Sequence, residues 1–372
     1  MKFLIVTHVP HSIEENQYAA YGPFVREMNI WGKYVENLII LGPITDIEIT
    51  TIDNKYEHHN IEFAAIDSID VLSIKSTLET VCKIPQISVE IYSAMKKADH
   101  IHLRCPGNIG LLGCFIQILF PFKTKTAKYA GNWDPNSKQP WTYRLQQWIL
   151  SNTFFTRNIQ VLVYGEWEGS SKNIKPFFTA TYKEEEKIPI VPKDLKSKIH
   201  FIFAGTLVKG KNPLYAIQLV ELLLEKGYEV CLDLYGEGLE RNRLSAYIEI
   251  NNLGNGIVLK GNHSKEAMQQ AYQKSHFVIL PSESEGWPKV IAEGMFWGCV
   301  PLSTSVSCVP FMLDKGKRGV MLEMNLEKDV LQIEAVLNNQ PLFDTMQKRG
   351  SEWSRKYTID LFEKEIKRLL QS

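Results

Sequence analysis

Two glutamates draw attention first. Glu285 and Glu293 lie in "PSESEGWPKVIAEGMFWG" (Pro281–Gly298), with Gly286 and Pro288 between them. Such a run reads as a strand-to-helix loop, the helix starting at Pro288 and Glu293 lying about two turns inside it. Were the whole stretch helical, the eight steps between the glutamates would rise about 12 Å. That is far beyond the roughly 5 Å between the carboxylates of a retaining glycosidase, so the pair does not share one reaction centre. Two carboxylates spaced along a helix entrance, with backbone amides near Gly286–Val290 between them, suit a long polyhydroxyl ligand with an anionic middle. Each carboxylate accepts from hydroxyls at one end while the amides face the negative centre. A nucleotide-sugar has that form.

The loop "FAGTLVKGKNP" (Phe203–Pro213) supplies a cation. Gly205, Gly210 and Lys211 fit G-x-x-x-x-G-K, the phosphate loop of many ATPases and kinases, but that motif ends in Ser or Thr and this chain has Asn212. The hydroxyl that would hold magnesium is missing, and Asp233 is the only metal-holding acid candidate on the next strand, so a kinase comes last among the readings. Gly205 permits a tight turn, and Asn212-Pro213 reads as an N-cap and first helical residue. Lys211 beside a helix N-terminus favours an anion. The bland alternative is a solvated turn.

These loops need strands to hold them. In the second half "HFIFAGT", "EVCLDLYG", "GIVLKGN", "HFVILPS" and "CVPLSTS" are short apolar runs closed by Gly, Ser or Asn, hence strands. Helix-period segments separate them: "PLYAIQLVELLLEKG", "LERNRLSAYIEINNLG", "SKEAMQQAYQKS" and "PKVIAEGMFWG". That alternation implies right-handed crossovers and a parallel α/β sheet, with ligands at the carboxyl ends of its strands. The first half follows the plan more loosely. Strands are expected at "KFLIVTHV", "NLIILGP", "NIEFAAI", "HIHLRCP", "AKYAGNW" and "IQVLVYGE", and helices near Gly22–Gly32, Ile87–Lys97, Asn108–Leu119 and Trp141–Asn152. The chain thus reads as two Rossmann-like domains, 1–182 and 199–372, with 183–198 a charged, Pro-containing linker. An amphipathic last helix at 350–370 could pack on either domain.

Bulk properties narrow the classes. A chain of 372 residues has material for two cores. Lys plus Arg equal Asp plus Glu at 42 each, so nothing argues for a nucleic-acid partner. Six scattered cysteines with no C-x-x-C pair and no clustered His suggest neither a zinc site nor a disulfide framework, and read as reduced thiols of a cytosolic protein. The opening apolar run breaks at Thr7 and His8, too short for a signal peptide. The run "IGLLGCFIQILFPF" (Ile109–Phe122) is shorter than the roughly 20 residues that cross a membrane. It reads as a buried core helix, with membrane-surface contact as the alternative.

An ordered set of motifs carries a family resemblance. Glu285, Gly286, Pro288, Val290 and Glu293-Gly-Met resemble the E-x7-E signature of family 4 glycosyltransferases, enzymes of the GT-B fold, which pairs two Rossmann-like domains around a central cleft. Before it come G-x-L-V-x-x-K at Gly205–Lys211, "LYGEGLERNRL" with Gly236, and "VLKGN"; after it comes "GCVPLST". The resemblance implies a retaining transferase in which Glu285 contacts the donor sugar's hydroxyls and Glu293 the ribose. Lys211 would neutralise the diphosphate, and Leu259, Lys260 and Gly261 would edge the base. Gly205, Gly286, Trp287, Pro288 and Val290 complete the donor-side set. It also implies front-face substitution, and the lack of any D-x-D sequence fits an enzyme that uses cations in place of a metal, with no cofactor.

One departure stands out. The family usually has Arg directly after the glycine where this chain has Thr206. Lys209 and Lys289 are the candidate replacements; failing both, the site would be impaired or non-catalytic. On the acceptor side, His8, Gly22, Arg104, Asn132, Trp133 and Asp134 follow first-domain strands and are types suited to stacking on and bonding sugars, or equally to turns and core. The resulting expectation is a hexosyltransferase moving sugar from a nucleotide diphosphate to a saccharide or lipid-linked acceptor, in cell-surface polysaccharide synthesis at the cytoplasmic face of a membrane. The rivals are a non-catalytic nucleotide-sugar-binding subunit and a GT-B epimerase or phosphorylase.

Overall fold

A computed structural model describes residues 1–14, 17–50, 53–69 and 74–371. The chain divides into two compact units, Met1–Phe177 with Glu363–Ser372, and Phe178–Phe362. Residues 183–198 therefore belong to the second unit, and the end of the last helix to the first.

The first unit runs β1 (Lys2–Val6), β2 (His11–Glu14), β3 (Gln17–Tyr21), α1 (Gly22–Gly32), β4 (Asn37–Gly42), β5 (Asp53–Lys55) and β6 (Ile61–Ala65). There follow α2 (Ile74–Lys97), β7 (His100–Cys105), α3 (Asn108–Ile116), β8 (Thr124–Tyr129), α4 (Trp141–Ser151), β9 (Ile159–Tyr164) and β10 (Ile174–Phe177). Seven strands form a parallel sheet in the order β10-β9-β8-β7-β1-β4-β6. Strands covered on both faces read as unbroken apolar runs, and Phe3–Val6 and Leu38–Leu41 are buried throughout. The β2-β3-β5 sheet is antiparallel and was not anticipated, because its strands are short and mix polar with apolar residues. α2 begins at Ile74, earlier than expected, and carries Pro85 inside it. The apolar run Ile109–Phe122 is only partly core: Ile109 and Cys114 are buried, whereas Phe115, Leu119 and Phe122 are exposed.

The second unit runs β11 (Ile199–Ala204), α5 (Pro213–Glu225), β12 (Val230–Tyr235), α6 (Arg241–Ile250), β13 (Ile257–Gly261), α7 (Lys265–Lys274), β14 (Phe277–Leu280) and α8 (Lys289–Phe296). It continues with β15 (Val300–Thr304), α9 (Val309–Met312), β16 (Val320–Leu322), α10 (Leu326–Leu337) and α11 (Gln340–Ser354), before α12 (Ile359–Gln371). Its sheet is parallel in the order β13-β12-β11-β14-β15-β16. Phe201, Phe203, Leu232, Ile279 and Leu302 fill its core against α5 and α10. The segment read as one terminal helix is two, interrupted at residues 355–358, where the Leu361 amide donates to Thr358 Oγ1 at 3.3 Å. Among the described residues no helix is long and apolar enough to cross a membrane.

Candidate active site

In an open parallel sheet the crevice for ligand opens where strand order reverses. In the second unit β11 is followed on one side by β12 and β13 and on the other by β14, so the switch point lies between β11 and β14. The loops leaving those two strands carry the glycine-lysine and the glutamate motifs.

Glycines let three loops lie backbone on backbone here. The Gly205 amide donates to Tyr235 O at 2.9 Å and the Gly236 amide to Gly261 O at 2.8 Å. Gly236 has φ +133°, and a Cβ on it would stand 2.0 Å from Gly205 O. Only glycine fits such a contact. Beyond it, Lys209–Lys211 form one 3-10 turn and Asn212 adopts the left-handed conformation, φ 48°, ahead of Pro213. Asn212 therefore does not cap α5 with its side chain. Its Nδ2 donates instead to Pro281 O at 2.9 Å, while the Glu283 amide donates to Gly210 O at 2.9 Å. These two bonds tie the loop after β11 to the loop after β14.

The tie brings Lys211 Nζ onto Glu285 Oε1 as a half-buried ion pair. Glu293 is the fifth residue of α8, about one turn in; the expected two turns overcounted the five steps that separate it from Pro288. Both its carboxylate oxygens accept hydroxyls of the protein: Thr181 Oγ1 at 2.7 Å and the Tyr272 hydroxyl at 3.1 Å. Burial first, and then the Glu293 charge, push the Tyr272 phenol well above its ordinary value, so it stays a donor. Neither Thr181 nor Tyr272 was foreseen, since each lies far from Glu293 in sequence and in no motif. The first amides of α8 lack intrahelical acceptors by construction and give that end positive character.

Other residues singled out from the sequence take different places. Trp287 is buried, its ring 6.0 Å from that of Trp353 and 5.5 Å from that of Tyr357, so it anchors the loop from beneath. Thr206 and Lys209 are exposed, and Lys289 and Val290 half-buried at the start of α8. Lys260 pairs with Asp233 at 3.4 Å, which gives that acid a cation as its neighbour. Among the described residues no group of three His, Cys, Asp or Glu side chains gathers as a metal would require.

In the first unit the switch point lies between β1 and β7. His8 leaves β1 there and lies against Gly107, where a Cβ would meet His8 Nδ1 at 2.7 Å. Desolvation, with the Arg104 charge second, holds the His8 imidazole below its ordinary value. Gly22 is buried at the start of α1. Arg104 is taken up inside the fold: its guanidinium donates to Glu27 at 2.6 Å, and Lys128 donates to the other oxygen at 2.8 Å. Burial works against the Glu27 carboxylate, but the Arg104 and then the Lys128 charges outweigh it and hold its pKa at about 2. Trp133 is buried edge-on to Tyr129. Asn132 and Asp134 accept backbone amides of Asp134 and Asn136 and so shape the turn. Of the six acceptor-side residues, His8 is the exposed one at the switch point.

Residues 183–353 match the family described as glycosyl transferases group 1. An uncharacterized glycosyltransferase of Methanocaldococcus jannaschii is 28% identical over 160 residues, 42% of this chain and 43% of that protein. The match thus spans less than half that relative's length. Protein CapJ of Staphylococcus aureus is 22% identical over 82% of this chain and 79% of its own. Among solved structures, Anabaena HepE in complex with UDP and glucose aligns with TM-score 0.68 and 15% identity over 100% of both chains. The lipopolysaccharide outer core galactosyltransferase WaaB aligns with TM-score 0.70 and 14% identity over 100% of this chain and 99% of that one. The chain is an α/β protein with the GT-B fold of these structures, and its residues 183–353 carry the pattern of glycosyl transferases group 1.

Proposed function

We propose that the protein is a retaining, family 4-like glycosyltransferase that moves a hexose from a nucleotide diphosphate sugar to a saccharide or lipid-linked saccharide. The observation that carries this is the Lys211–Glu285 pair at the β11/β14 switch point, with Glu293 one turn into α8. Complexes of HepE with UDP and glucose, and the galactosyltransferase WaaB, support the donor class and a place in polysaccharide assembly.

In this reading Glu285 accepts the donor sugar's hydroxyls, Glu293 the ribose hydroxyls, and residues Leu259–Gly261 border the base. When the bond from the anomeric carbon to the diphosphate oxygen breaks, the electron pair leaves with the diphosphate. Lys211, aided by Lys209 or Lys289 and by the amide-rich start of α8, meets that charge without a metal. The acceptor hydroxyl then attacks from the same face, giving retention, and its proton passes to the departing diphosphate oxygen on that face. The lysine exchanges a protein carboxylate for a phosphate as donor enters, so its charge is held at the site beforehand.

A screen of UDP-, GDP-, ADP- and dTDP-sugars without metal, by thermal shift and donor hydrolysis, tests this. A donor that stabilises the protein and is slowly hydrolysed, with both effects lost in Glu293→Ala, is the expected result. Thr206, exposed where the family carries Arg, favours one second reading, a non-catalytic nucleotide-sugar-binding subunit. Stabilisation with no turnover on any saccharide acceptor would select it.

A further inference from the structure

The first unit carries a basic, aromatic surface that the transfer chemistry leaves unused. Between His100 and Gly165 there are seven Lys and Arg residues and a single acid, Asp134, in a chain whose charges balance overall at 42 of each sign. Arg104 and Lys128 are consumed by Glu27, and Lys125 is buried on the Gln117 and Phe120 carbonyls. The exposed remainder includes Arg157, which joins Lys172 and Lys175 around a groove of about 810 Å³ whose lining holds no carboxylate.

Bulky apolar side chains stand out of the same surface. Phe122 is 89% exposed and Phe154 70%, with Leu119, Trp148 and Phe115 also exposed. Two bonds hold their loops together: Gln117 Nε2 to Phe155 O at 3.2 Å and Asn158 Nδ2 to Pro121 O at 3.0 Å. The Arg157 guanidinium lies over the Phe154 ring at 5.3 Å. These loops precede β8, β9 and β10, so the surface lies at the amino ends of the strands, away from the carboxyl-end loop with His8.

We infer that this surface docks on an anionic lipid bilayer. Phe115, Leu119 and Phe122 have no side-chain hydrogen-bonding atom and gain by entering an apolar medium. Arg157, Lys172 and Lys175 beside them match a continuous negative surface and can keep their charged heads at headgroup level. An anionic glycan would use the cations but leave these side chains in water. The inference is independent of the transfer reaction, because docking is read without donor or acceptor.

The test is flotation of the full chain with phosphatidylcholine vesicles and with vesicles containing phosphatidylglycerol. Binding to the second alone, weakened by salt, is expected, and Phe122→Ser with Phe154→Ser should lower it about tenfold or more. Arg157→Glu with Lys172→Glu should do the same, each variant melting as the parent does. Equal flotation of parent and variants, or none, overturns the inference. Binding to heparin in place of vesicles, unaffected by the Phe changes, would reassign the groove to anionic glycans, and a dimer dissolved by those changes would reassign the surface to self-association.

Discussion

Lys211 and Glu285 answer each other's charge, which makes single substitutions at either position ambiguous. Under the proposed function, removing Glu285 would take away a sugar-hydroxyl acceptor but also free the lysine for phosphate. Glu285→Ala is therefore expected to cut kcat by about a hundredfold or more while donor affinity holds or improves. Lys211→Ala should impair both, and the double variant should lose less than the two single losses combined, because the residues interact. Steady-state kinetics of the three proteins read this directly; strict additivity would contradict the pairing. At this scale the sequence was partly legible. Glu285, Glu293 and Lys211 show themselves by type and spacing, but what they touch does not. Thr181 and Tyr272 reach Glu293 across the fold. Asn212 looks like a helix cap because such residues usually are one, and its left-handed backbone turns the amide toward Pro281 instead. Arg104 and Trp133 have types that suit sugar contacts as well as buried structural roles, and only packing separates the two.

The elements themselves were easier to read where both faces are buried. A parallel strand needs a continuous apolar run, and "FLIV" or "HFIFA" states it plainly. The strands of the β2-β3-β5 sheet have one face or an edge in water, and "QYAAY" and "DNK" carry no such run. Glycine lets the second unit's loops lie backbone on backbone, beside the side-chain bond from Asn212 to Pro281 O. Gly236→Ala would drive a methyl into Gly205 O at a φ that side chains rarely adopt. The expected cost is roughly 2–4 kcal/mol of stability or a displaced loop after β11, with donor binding reduced well beyond any change in melting. Thermal melts with and without donor separate the two, and an alanine variant that binds and melts as the parent does would show that the loops are not so tightly apposed. Gly294 plays a comparable part, since a Cβ there would stand 2.6 Å from Val278 Cγ1 where α8 crosses β14.

At the scale of the whole molecule, buried histidines set the acid limit. His11, His100 and His276 are buried, and burial lowers each to about 4, helped at His276 by Lys193. Above their unfolded value near 6.5 they are neutral in both states. As pH falls from 6.5 toward 4 the unfolded chain binds protons that the folded chain refuses, so stability drops, by up to roughly 3 kcal/mol for each histidine so excluded. Glu27, ordinarily near 4.5 and held at about 2, extends the loss below pH 4.5. Denaturant melts between pH 7.5 and 4 should show a continuous fall in stability, and a flat profile would mean the histidines are open to water.

Tyr272 is gripped at both its ends. Its hydroxyl meets Glu293, which also holds Thr181, while its carbonyl, with those of Ser275 and Gly298, receives the buried Lys193 ammonium. Residues 181 to 193 are thereby closed into a ring without any covalent cross-link, with Ile188 and Val191 exposed along it. A protease that nicked the chain there would cut the polypeptide and leave both fasteners made, so the carboxylate would keep its orientation after the backbone leading to it had been severed.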